Sequence, residues 1–125
     1  MGSQYLLDTN VIIDFAANRL PAKSVQKLSE IIDDSPTISF INKIELLSIE
    51  SVPLSIESFT EVANIIEINN EIINNTIEIR KRYHLKLPDA LIAATAIVNN
   101  LTLITHNIKD FEKVNSLQLI DSYSF

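Results

Sequence analysis

Four carboxylates in this sequence stand where their type and placement could do chemistry. Asp8 closes the apolar strand Tyr5-Leu6-Leu7, Glu45 sits inside Ile41-Asn42-Lys43-Ile44-Glu45-Leu46-Leu47, and Asp110 follows Thr105-His106-Asn107. Each has a structural alternative: a turn or cap for Asp8 and Asp110, a solvated helix face for Glu45. Asp89 fits its alternative least well. An acid in a first turn suits the helix dipole, but Ile92, Ala93, Ala96 and Ile97 follow it at helical spacing, so it heads the apolar stripe. Carboxylates crowded together repel and raise one another's pKa unless divalent cations neutralise them. Two such cations about 4 Å apart can activate water and stabilise the leaving oxygen in phosphodiester hydrolysis.

Composition narrows the choice of metal. The chain has no cysteine, which excludes disulfides and thiolate zinc, and its two histidines, His84 and His106, argue against a histidine cage. Oxygen ligands favour a hard cation, Mg²⁺ or Mn²⁺. A net charge of −6 argues against coating nucleic acid through bulk positive charge. It does not argue against a nuclease whose acids are offset by bound metal. No apolar run approaches the roughly 20 residues that span a bilayer, and Met1-Gly2-Ser3 opens no basic-then-hydrophobic leader, so no membrane attachment and a cytoplasmic location are expected.

The elements that must position these acids alternate. Strands are expected at Gln4–Leu7, Thr37–Phe40, Ile65–Ile68, Leu101–Thr105 and Leu117–Ile120. Helices are expected after a cap at Thr9 or Asn10, over Ala22–Asp33, from Asn42 with Ile41, Ile44 and Leu47 inward, and from Ser55 to about Ala63. Further helices follow over Asn70–Tyr83, from Leu87-Pro88 to about Asn100, and as a turn at Asp110–Val114. Strands alternating with helices predict an α/β fold, a parallel sheet flanked by helices on both faces. Such a sheet binds ligands beyond the carboxyl ends of its strands, where the acids fall.

At these residues the chain resembles PIN-domain proteins, specifically the VapC-like toxin ribonucleases of type II toxin–antitoxin pairs. The resemblance is carried by LLDTNVIID at Leu6–Asp14, IELL at Ile44–Leu47, LPDALIAATA at Leu87–Ala96 and LITHNIKDF at Leu103–Phe111. It implies a single PIN domain over residues 1–125, three-layered with a short, mostly parallel sheet. It places the family's acidic quartet on Asp8, Glu45, Asp89 and Asp110, as metal ligands and catalytic residues, with Asn10 and Thr105 supporting them by hydrogen bonds. The activity implied is Mg²⁺- or Mn²⁺-dependent hydrolysis of RNA, and the partners implied are a cognate antitoxin and a second copy of the chain. His106 stands where close relatives often carry Arg, and a turn role is the favoured reading for it.

Arg80, Lys81, Arg82, His84 and Lys86 form the strong basic cluster, a place for RNA phosphates or simply a solvated helix end. Val25, Leu28, Ile31 and Ile32, with Phe59, Val62 and Ile66, exceed what one small core needs, and some could serve a dimer surface or a groove for an antitoxin helix. Two other functions compete. A phosphotransferase with an aspartyl nucleophile also places Asp at the end of a first strand, but Asp8-Thr9-Asn10 lacks the second acid two residues on. A catalytically inactive PIN-like module that binds RNA or protein is the stronger rival, set back by the presence of all four acids.

Overall fold

A computed structural model describes residues 4–125; Met1–Ser3, where the expectation of no leader falls, lie outside the described residues. The order is β1 (Tyr5–Leu7), α1 (Thr9–Ala16), α2 (Ala22–Asp33), β2 (Thr37–Ser39), α3 (Phe40–Leu47) and α4 (Leu54–Val62). The chain continues with β3 (Asn64–Ile66), α5 (Asn70–Tyr83), α6 (Leu87–Val98), β4 (Thr102–Thr105), α7 (Ile108–Phe111) and β5 (Leu119–Asp121). Every ladder is parallel, in two groups: β1-β4-β5 and β2-β3. β1 and β2 touch without sharing a ladder.

Side-chain alternation along the strands builds the layers. Leu6 and Leu103 point to one face, into a core with Ile72 and Ile79 of α5, Ala93 of α6 and Phe111 of α7. Leu7 and Ile104 point to the other, against Val11 and Ile12 of α1, Leu28 of α2, Leu46 of α3 and Ile56 of α4. Each fully buried aliphatic side chain contributes about 1.5–3 kcal/mol. The expected α/β class, with a short parallel sheet between helical layers, is the observed one.

Three local expectations change. α1 is capped by Asp8 and not by Thr9 or Asn10, because the Asp8 carboxylate reaches the Thr9 N–H. α3 begins at Phe40, two residues early, because Ser39 and Asn42 form a reciprocal capping box. Its inward face is consequently Asn42 and Leu46, while Ile44 and Leu47 are exposed. Val62 is also exposed, at 72%. The Asn- and Ile-rich stretch is an ordinary helix: α5 opens on an Asn69 cap, buries Ile72, Thr76 and Ile79, and ends at His84 in the left-handed region, φ 58°.

Candidate active site

Parallel pairing brings the carboxyl ends of β1, β4 and β5 to one edge, and Asp8 sits there, 5% exposed. Its Oδ1 accepts the Thr9 N–H at 2.9 Å and the Asn42 carboxamide at 3.3 Å. Its Oδ2 accepts the Thr105 hydroxyl at 2.8 Å and Asn10 Nδ2 at 3.0 Å. Burial still dominates: it pushes the Asp8 carboxyl above the ordinary value, against the lowering effects of Thr105, Thr9, Asn10 and Asn42. Asn10 and Thr105, expected as supports, also bond each other at 3.2 Å.

The first residues of α3 extend this network, and the sequence reading missed them. Asn42 is fully buried; its Oδ1 accepts from the Ser39 hydroxyl at 2.7 Å and the Ser39 N–H at 2.9 Å. Its Nδ2 donates to the Thr9 hydroxyl at 3.0 Å as well as to Asp8, and the Thr9 hydroxyl donates in turn to Glu45 Oε1 at 2.6 Å. A polar chain therefore runs from β2 through α3 and α1 to Glu45. The available signal was the Ser39-Phe40-Ile41-Asn42 spacing of a capping box.

Asp89 lies in the first turn of α6 and is half-buried, whereas Glu45 and Asp110 are exposed. Its carboxyl is pushed up first by burial and then by the charges of Asp110, Asp8 and Glu45, while Lys86 pulls it down. The structure thus brings all four predicted acids within electrostatic reach of one point. Among the described residues, no three acids or histidines converge closely enough to hold one ion between them directly. A hard cation such as Mg²⁺ keeps several waters and needs only one or two carboxylates directly. The charge crowding on Asp89, which Lys86 offsets only in part, fits such an ion.

The PIN domain family model matches residues 5–117, a span that contains all four acids. This chain belongs to the PIN domain family. It is 33% identical to Ribonuclease VapC1 of Haemophilus influenzae strain R2866, over 94% of this chain and 96% of that one. Its fold is similar to that of a chain in the VapBC-1 structure from nontypeable Haemophilus influenzae, at a TM-score of 0.75 and 30% identity over 94% and 97% of the two chains. A toxin–antitoxin complex from Klebsiella pneumoniae holds another similar chain, at 0.70 and 29%, over 95% and 98%.

Elsewhere on this PIN domain, the basic cluster divides. Lys86 immediately precedes α6 and its charge reaches Asp89. Arg80, Lys81 and Arg82 form the last turn of α5, where they complement the helix dipole. Arg80 Nε donates to the Leu85 carbonyl at 3.4 Å, and the Arg82 guanidinium lies 5.6 Å from the centroid of the Tyr83 ring. On the opposite side of the sheet, α1, α2 and α4 enclose an apolar groove of about 540 Å³ lined by Ile12, Phe15, Ile32, Ile56, Phe59 and Val62. Among the described residues no helix is long and apolar enough to cross a membrane.

Proposed function

We propose that this PIN domain is a metal-dependent endoribonuclease, the toxin of a bacterial toxin–antitoxin pair. The carrying observation is the electrostatic convergence of Asp110, Asp8 and Glu45 on the half-buried Asp89. Similarity to Ribonuclease VapC1 over nearly the whole chain supports RNA as the substrate. A family of divalent-metal enzymes supports the cofactor, Mg²⁺ or Mn²⁺.

Asp8 and Asp89 are the principal metal ligands in this proposal, with Glu45 and Asp110 completing the shell through water. An ion at Asp8 would replace one of its hydrogen-bond donors, of which Asn42 is the most distant. When bound, the cation supplies a water made nucleophilic at neutral pH and positive charge for the phosphate oxygens. Thr105 and Asn10 fix the Asp8 carboxylate, and Thr9 holds Glu45 toward the same edge. Lys86, with Arg80, Lys81 and Arg82, offers the cationic approach that an acidic protein needs for RNA.

The regulating partner is a cognate antitoxin. Similar chains from Haemophilus and Klebsiella occur in toxin–antitoxin complexes, and the groove of Phe15, Ile32 and Phe59 has the apolar lining that an amphipathic antitoxin helix would cover. A homodimer is the expected assembly, supported by Ile73 and Ile77, exposed one turn apart on α5. The absence of cysteine suits the cytoplasm as its compartment. An inactive RNA- or protein-binding module is disfavoured by the intact acid set. Incubating antitoxin-free protein with total RNA and Mn²⁺ tests the reading: cleavage that a chelator abolishes supports it, and intact RNA overturns it.

A further inference from the structure

The ring of His106 is restrained in ways that a turn residue does not need. Its backbone N–H donates to Asn10 Oδ1 at 3.0 Å, a bond that any residue could make. The imidazole adds two further restraints. Nδ1 lies 3.0 Å from Asp121 Oδ1, and one ring face stacks on Tyr123 with centroids 3.8 Å apart and 29° between planes. Both anchors are themselves fixed. Asp121 Oδ1 also accepts the Tyr123 N–H at 2.9 Å, and the Tyr123 hydroxyl donates to Asp14 Oδ2 at 3.2 Å. Asp14 is paired with Arg19, so the bracing runs back to α1.

The position of His106 in the chain gives these restraints a purpose. Asn10, which receives the His106 N–H, donates to Asp8 at 3.0 Å, so His106 is two hydrogen bonds from the acid cluster. Burial raises the Asp121 carboxyl, but the His106 bond and the Tyr123 N–H outweigh it and hold the group below its ordinary value. An ionised Asp121 calls for a proton on Nδ1, which leaves Nε2 as the remaining hydrogen-bonding atom of a side chain 47% exposed at the rim. With a second proton on Nε2 the ring becomes a charged donor, the form that a phosphate oxygen would recruit.

We propose that His106 is a substrate-positioning residue whose Nε2 edge donates to an RNA backbone phosphate beside the four acids. The proposal rests on the ribonuclease reading above. Asn in place of His keeps a donor for Asp121 but removes the Nε2 edge, so His106→Asn separates the turn role from the phosphate role.

Binding is measured with a short fluorescein-labelled mixed-sequence RNA in an Asp89→Asn background, and cleavage in the otherwise native chain. His106→Asn is expected to raise Kd about tenfold and to flatten the log Kd against log salt slope by about 0.7. His106→Arg is expected to restore both. In cleavage the loss falls on KM, with kcat within about threefold. Asp121→Asn is the second arm. Removing a negative charge should strengthen RNA binding through bulk electrostatics, whereas loss of ring orientation weakens it, and weakening is expected. Unchanged Kd and salt slope in His106→Asn, with native cleavage intact, would overturn this proposal alone. A native chain that neither binds nor cuts RNA would overturn the ribonuclease reading with it.

Discussion

The Thr9 hydroxyl donates to Glu45 Oε1 at 2.6 Å, tying the helix that Asp8 caps to the helix that carries Glu45. The same hydroxyl accepts from Asn42, so its one proton is directed to Glu45. Thr9→Val keeps the shape of the side chain and removes this bond. Cleavage by the variant is expected to fall about tenfold, with a stability loss of about 1 kcal/mol or less because Glu45 is exposed. Thr9→Ser should retain most activity. Single-turnover cleavage beside urea denaturation checks both.

Asn42 carries a heavier structural load. Its carboxamide completes the α3 cap and reaches Asp8 and Thr9 from a fully buried position. Asn42→Ala leaves those partners underbonded in the interior and is expected to lower stability by about 2–3 kcal/mol. Asn42→Asp should be worse, since it sets a second carboxylate against Asp8. Thermal and urea melts of both variants test the ordering.

Asp89 makes the metal-free protein sensitive to pH. Its folded carboxyl is raised above 3.8, first by burial and then by Asp110, Asp8 and Glu45. The folded state therefore binds a proton more tightly than the unfolded chain, and stability falls as pH rises through the window above 3.8. The penalty is absent below that value and complete once the pH passes the raised folded pKa. Asp89→Asn should accordingly raise the Tm of metal-free protein at pH 7 and change little near pH 4. Adding Mn²⁺ at pH 7 should raise the native Tm and leave that of Asp89→Asn nearly fixed. Scanning calorimetry across pH, with and without metal, reads both.

The sequence revealed most where one residue had one job. Helices α2 and α5 were legible to the residue, because Val25 and Leu28 or Ile72 and Ile79 repeat at helical spacing between recognisable stops. Asp89 stood out because it heads the apolar stripe of its helix. Asp8 alone read equally as a turn or cap acid and gained weight only from its strand-end placement beside the others. The α3 face was misread for a physical reason. Asn42 is polar yet buried, serving Ser39, Asp8 and Thr9, so a rule placing apolar residues inward turned the helix toward Ile44 and Leu47. The partners of His106 were equally hidden, since Asp121 and Tyr123 meet it only through the pairing of β4 with β5.

Val62 tests the partner surface. It lines the groove but is exposed, so Val62→Glu should leave folding within about 0.5 kcal/mol of native. A buried charge opposite an apolar helix should weaken antitoxin binding at least tenfold. The variant is expected to cleave RNA normally and to resist neutralisation when the neighbouring antitoxin gene product is added. Titrating antitoxin into the cleavage assay distinguishes this from a loss of activity.

The central claim is that Asp89 and the acids converging on it cut RNA. Its most direct test is cleavage of total RNA by purified, antitoxin-free protein with Mn²⁺, native chain beside Asp89→Asn at matched concentration. Asp89→Asn is expected to keep the native fold by circular dichroism while losing cleavage by a factor of at least about 100. Cleavage by folded Asp89→Asn at the native rate would show that this acid site is not the one responsible.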